Sequence, residues 1–173
     1  MHYILYHANC PDGLTAAAIA KIHYDAIHYP EPLTFIACQY GKSVWEYLPI
    51  RVGLLDEVKI VDFSFPRAQL TELRERVGKL VVLDHHKTAE ADLSGLDFCQ
   101  FDMNRSGAKM AWDYWFRGTD APAFVLYVQD RDLWQWKMPK SREFSAGLQL
   151  KPWTVESFAE LIYTPAIEDF LII

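Results

Sequence analysis

Three short apolar runs in this chain each stop at an acid or an imidazole, and helix-like stretches separate them. Residues 3–6 lead into His7, residues 59–61 into Asp62, and residues 79–83 into Asp84-His85-His86. The runs are too short for helices and rich in Val, Ile and Leu, so they predict buried strands. Between them, residues 14–23 are Ala-rich and apolar, which predicts a closely packed helix. Residues 34–38 read as a second strand. Residues 66–77 read as a polar helix opened by Ser64 and Pro66, and residues 97–102 as an outer strand. Such alternation predicts an α/β fold: a mostly parallel sheet with helices on both faces. In these sheets ligands bind beyond the carboxyl ends of the strands. His7, Asp62 and the Asp84-His85-His86 block are therefore expected along one edge.

The second half is helical. Ala108, Ala111, Trp112, Trp115 and Phe116 recur at helical spacing behind Ser106, a suitable N-cap. Residues 123–129 predict a further helix ending at Asp130. Residues 154–162 predict an amphipathic one, with Val155, Phe158 and Ile162 on one face. The expected organisation is one domain over residues 1–173, with the motif-bearing region at about 3–136 and a helical segment at about 150–173. The apolar end, Phe170-Leu171-Ile172-Ile173, is expected to pack on the core or in a homodimer.

Composition narrows the function. The 173 residues carry a net charge of −6, which argues against a basic face for long duplex nucleic acid. No apolar run is long enough to span a bilayer. The first residues lack a basic leader, so they read as a strand rather than a signal peptide, and a cytoplasmic location is expected. Cys10, Cys38 and Cys99 make neither a disulfide framework nor a CxxC pair, and Cys10 is expected to line the site without reacting. There is no GxSxG and no P-loop, so neither a serine hydrolase nor a kinase finds support.

Carboxylates mixed with a few imidazoles suit Mn2+, Fe2+ or Zn2+ better than Ca2+. A carboxylate shared by two cations about 3.5–4 Å apart clamps a phosphate and activates water. Mn2+ fits best, with Mg2+, Co2+ or Fe2+ as alternatives. The local excess of acid would repel a phosphate ester until the cations reversed its sign.

Five blocks occur in order: Tyr6-His7-x-Asn9-Cys10-Pro11-Asp12-Gly13, Asp62, Asp84-His85-His86, Ser106-Gly107-Ala108, and Asp130-Arg131-Asp132-Leu133-Trp134. Together they resemble the DHH phosphoesterase superfamily, especially its small oligoribonuclease-like branch. The resemblance implies that His7 binds a first metal, Asp12 a second, and that Asp62 bridges both. His85 and Asp130 would complete the second site, while Asn9 is a candidate ligand of the first. Asp130 is favoured over Asp132, which would then cap a helix or turn. His86 would face the substrate phosphate and Asp84 would orient the imidazoles. Arg131, Arg105 or Lys87 would steady transition-state charge, and the helix opening at Ser106 would offer N–H groups to phosphate. The implied substrate is a short oligonucleotide or dinucleotide, with pyrophosphate or polyphosphate as the alternative.

The chain departs from the family pattern twice. The family usually has an acid where this chain has Asn9, which raises a weakened, nucleotide-binding form as a second reading. Many relatives also carry a second, substrate-binding domain with a Gly-rich His motif, and nothing here matches it. Trp112, Trp115, Trp134 and Trp136 are core residues by default, with base stacking by Trp134 or Trp136 as the alternative.

Overall fold

The computed structural model describes residues 1–163. Five strands lie in one wholly parallel sheet: β1 (His2–His7), β2 (Leu33–Cys38), β3 (Glu57–Val61), β4 (Lys79–Asp84) and β5 (Cys99–Phe101). Their order is β2-β1-β3-β4-β5. Among the described residues, seven helices accompany them: α1 (Pro11–Ala26), α2 (Arg67–Arg76), α3 (Lys87–Leu93), α4 (Gly107–Trp115), α5 (Ala123–Asp132), α6 (Ser141–Leu148) and α7 (Val155–Ile162).

Strand alternation divides the core in two. Ile4, Val61, Val81 and Leu83 face one side, where they meet residues of α1, α4, α5, α6 and α7. Tyr3, Leu5, Val58, Ile60, Leu80 and Val82 face the other, against Leu70 and Leu73 of α2 and Leu93 of α3. Successive side chains of a strand point to opposite faces, so a strand covered on both sides must be apolar throughout. That is why these runs are apolar apart from Lys79 at the start of β4 and Lys59, which is buried in β3 with its ammonium 2.7 Å from Glu57 Oε2. The anticipated α/β architecture with both faces covered is what forms.

The order of travel then creates a crevice. From β1 the chain moves outward through α1 to β2, returns past β1 to β3, and continues through α2 and α3 to β4 and β5. Right-handed crossovers running in opposite directions put their helices on opposite faces. At such a reversal the two connections leave the sheet on different sides, and a gap opens beyond the carboxyl ends of the flanking strands. Here that gap lies between β1 and β3, which end at His7 and just before Asp62.

Helix α1 sits at the centre of one layer, against α4 and α7. Ala16, Ala17, Ala18 and Ala20 are all fully buried, so neighbouring backbones can come close. It begins earlier than the apolar pattern suggested, because Pro11 at the first position needs no N–H partner. Ser106 caps α4, its hydroxyl accepting from Lys109 N at 3.3 Å. Thr154 likewise caps α7. Val155, Phe158 and Ile162 are buried as the spacing predicted. The 3-10 turn Val44–Glu46, α3 and α6 were not legible, and α3 buries only Leu93. Ser64 does not open α2. Its hydroxyl donates to Asp84 Oδ2 at 2.5 Å, and Pro66 alone precedes the helix. No helix among the described residues is long and apolar enough to cross a membrane. Phe170–Ile173 lie outside the described residues.

Candidate metal centre

Asp62 is the hub of the site. It follows β3 with φ of 54°, a left-handed conformation that costs an L-residue about 1–2 kcal/mol. Such strain persists only where surrounding structure imposes it, and it collects at functional sites. The bend places the carboxylate in the crevice, where it is almost wholly buried. Its Oδ1 lies 3.0 Å from His85 Nε2. Its Oδ2 is 3.7 Å from His7 Nδ1, too far for a hydrogen bond, and has no hydrogen-bond partner. Burial opposes ionisation, but the His7 and His85 imidazoles overcome it and pull the Asp62 carboxyl down to about 2.

Two sets of donors flank this carboxylate. On one side the ligand atoms of His7, Cys10 and Asp62 lie within 4.8 Å of one another; on the other, those of Asp12, His85 and Asp132 do so. A third such group, Asp62, His85 and His86, joins them. His85 Nε2 is 3.7 Å from Asp12 Oδ2 and 3.4 Å from Asp132 Oδ2. Burial lowers the basicity of His85, but Asp62, Asp12 and Asp132 outweigh it and push the imidazole up to about 9. Burial, then Asp62, raises the carboxyl of Asp132. Burial, then Asp62 and Asp132, raises that of Asp12. Three acids held this close repel one another, which cations between them would relieve. A buried carboxylate oxygen without a partner, set among imidazoles and carboxylates, fits a pair of divalent cations.

The second anticipated acid is corrected. Asp130 is turned away into the following loop, where its carboxylate accepts from Lys137 N at 2.8 Å and Met138 N at 3.3 Å. Asp132 stands beside His85 instead. Helix α5 runs on to residue 132, past the end that the apolar pattern marked, and the last turn carries Asp132 into the crevice. Asp132, not Asp130, therefore joins the cluster around His85. Accordingly, Asp132→Asn is expected to weaken Mn2+ binding, measured by titration, by roughly 10- to 100-fold or more. Asp130→Asn should leave Mn2+ binding intact and lower thermal stability instead, since it weakens charge-assisted bonds to two backbone donors. The reverse pattern would restore the original assignment.

Helix α4 is also used differently from expectation. Its N-terminal donors do not wait for phosphate. Gly107 N and Ala108 N give their hydrogen bonds to Asp12, at 2.6 and 3.0 Å. The positive end of the helix thus anchors a carboxylate of the cluster. Arg105 is likewise removed from the phosphate-binding role, its guanidinium pairing with Asp102 at 2.7 Å and Asp113 at 2.9 Å. Arg131 keeps a place near the site, where its charge acts on Asp132. Lys87 is exposed at the first position of α3, next to His86.

Asp84 orients one imidazole rather than two. Its Oδ1 accepts from His86 Nδ1 at 2.6 Å and from His85 N at 2.8 Å, while its Oδ2 takes the Ser64 hydroxyl. A carboxylate oxygen accepts here, so His86 carries a proton on the Nδ1 that faces Asp84, and Nε2 is the ring nitrogen left for another partner. The Asp84 bond also makes His86 more basic.

Close packing explains two glycines. A Cβ on Gly107 would lie 2.4 Å from Asp62 Cβ, and one on Gly13 would lie 2.5 Å from His7 O. Gly13 lies within α1 and does not make the turn out of β1. The turn itself falls on Asn9, with φ of 55°, a conformation asparagine tolerates. Asn9 is exposed there. The half-buried Cys10 brings its thiol to His7 and Asp62, a candidate ligand that the sequence reading treated only as lining. Burial raises that thiol, so its deprotonation would depend on a metal.

No family model matches the chain. An uncharacterized protein of Acanthamoeba polyphaga mimivirus is 30% identical over 151 residues, covering 82% of this chain and 35% of its own length. In fold, the chain is similar to an uncharacterized protein from Helicobacter pylori seen by crystallography. The TM-score is 0.64 at 13% identity, over 87% of this chain and 48% of that one. The chain thus spans about a third of the viral relative and about half of the bacterial structure. The bacterial likeness shows the fold alone.

Proposed function

We propose that this chain is a metal-dependent phosphoesterase of the DHH type, acting on short oligonucleotides or dinucleotides. The observation that carries the reading is the Asp62 carboxylate. One oxygen faces the Asp12–His85–Asp132 set, and the other, buried and without a partner, faces His7 and Cys10. That is the disposition of a carboxylate shared by two cations. The ordered motif blocks of the sequence supply the class of reaction.

His7, Cys10 and Asp62 would hold one cation, and Asp12, His85 and Asp132 the other, with Asp62 common to both. Two cations so placed supply charge neutralisation for a phosphate and a lowered pKa for bound water. The chain's own residues do the rest. Asp84 fixes the His86 ring and favours its imidazolium form, which would donate from Nε2 to a phosphate oxygen and could pass that Nε2 proton to the departing oxygen, leaving the ring neutral with its remaining proton on Nδ1. Arg131 and Lys87 add positive charge at the rim.

The test is a substrate panel with and without Mn2+: bis(p-nitrophenyl) phosphate, an RNA dinucleotide, a cyclic dinucleotide and pyrophosphate. Mn2+-dependent cleavage is expected, with the dinucleotide preferred; preference for pyrophosphate would replace the substrate class. Mn2+ at about 100 times its Kd should also add roughly 2.7 kcal/mol of stability, read as a rise in Tm. A silent panel and a motionless Tm would together end the proposal.

One feature favours a second reading, a nucleotide-binding module with weakened catalysis. The His7 set contains a single carboxylate, and the neighbouring Asn9 is neutral. Asn9→Asp distinguishes the two: activity created from none points to a binder, whereas little change to an existing activity points to an enzyme.

A further inference from the structure

A cavity of about 580 Å3 opens beside the cluster, on the face of the sheet that carries α2 and α3. Its size lies within the range of small-molecule sites. Tyr40 forms the wall nearest the metal ligands: its ring centroid is 5.3 Å from that of His7 and 6.2 Å from that of His86. Behind Tyr40 lies the buried ring of Phe63, the residue after Asp62, at 4.5 Å and a 31° tilt. Phe65 and Ala89 continue the apolar floor, while Lys42 and Thr88 bring polar groups to the lining. Tyr40 itself is 56% exposed.

An aromatic face left open to solvent, supported by a second ring and touching two catalytic-site imidazoles, is not packing the core. A phosphate alone would leave most of this space empty. A flat ring carried on the esterified group would fill it, stacking on Tyr40 while its phosphate stays at His86. We propose that this cleft is the subsite for a nucleobase of the substrate and that Tyr40 is its stacking residue. The inference rests on the phosphoesterase reading for the position of the phosphate, and it deepens that reading by naming what lies next to it. Trp134, 77% exposed beside Asp132 with φ of 54°, is the competing platform. Tyr40 is favoured because it lines a cavity of ligand size and its own ring packs edge-on to His7 and His86.

The experiment compares adenosine monophosphate with ribose phosphate as ligands of the Mn2+-loaded protein, by calorimetry, in wild type, Tyr40→Ala, Tyr40→Phe and Trp134→Ala. Base–aromatic stacking corresponds to roughly a 5- to 150-fold effect on affinity. Wild type should prefer adenosine monophosphate by a factor in that range. Tyr40→Ala should erase the preference without altering ribose phosphate binding, and Tyr40→Phe should keep it. No preference in wild type, or a preference lost in Trp134→Ala but kept in Tyr40→Ala, overturns the assignment. Dinucleotide turnover measured in parallel separates the two ideas. A Tyr40-dependent preference without turnover upholds the cleft and rejects the hydrolase; turnover without that preference rejects the cleft alone.

Discussion

Asp62→Asn is expected to abolish Mn2+-dependent hydrolysis and, with it, the Mn2+-induced rise in Tm. The substitution keeps the size of the side chain and an oxygen for His85 Nε2, now 3.0 Å from Oδ1. It removes the charge from the one carboxylate that faces both donor sets. Loss of a metal's outer-shell partner already costs about 10- to 100-fold. A ligand common to two cations must cost more, so turnover should fall by at least about 100-fold. The circular dichroism spectrum of the metal-free variant should match wild type, because its shape is conserved. Wild-type turnover in Asp62→Asn would remove the basis of the two-metal reading, which rests on this carboxylate.

Gly107→Ala is expected to damage both stability and activity. The new Cβ would fall 2.4 Å from Asp62 Cβ and 2.8 Å from its Cγ and Oδ1. Neither side can yield easily. Gly107 is tied by its N–H to Asp12, and Asp62 is set by its left-handed backbone at the end of β3. Overpacking of this kind costs about 1–3 kcal/mol, which in a domain of this size lowers Tm by roughly 2–12 °C. The same displacement separates Asp62 and Asp12 from their places, and a misplacement of about 1 Å costs on the order of 100-fold in rate. Thermal denaturation and turnover should therefore fall together. A variant with unchanged Tm would mean that α4 can shift away from Asp62 at little cost.

These two predictions draw on different levels of the chain. Asp62 was legible from its place after an apolar run, as were His7 and the Asp84-His85-His86 block. Residues that end a buried parallel strand have few places to go, and the sheet delivers them all to one edge. Gly107 was legible only as part of a motif. What it avoids is the Cβ of a residue 45 positions earlier (107 − 62), a clash that no local pattern encodes.

The choice of Asp132 over Asp130 shows where local reasoning ends. Both acids lie near the end of the same helix, two residues apart, and so project from different sides of it. Which one enters the crevice depends on the rotational setting of α5 against α4 and α6. That setting comes from the burial of Phe124, Val125 and Val128, and from loop donors at Lys137 and Met138 that claim Asp130. Tyr40 escaped notice for a similar reason: it sits in a polar loop after β2, and only the reversal of the chain at β1 brings it beside His7 and His86.

By itself, then, the sequence determined the α/β class, the parallel sheet covered on both faces, and the edge along which acids and imidazoles collect. Those follow from the period of side-chain alternation and from where each apolar run stops, both local properties. The tertiary structure alone decided which acid of a pair joins the cluster, that the start of α4 binds Asp12 rather than phosphate, and that an open aromatic cleft adjoins the site. Each of these depends on distances between segments far apart in the chain, and only packing sets such distances.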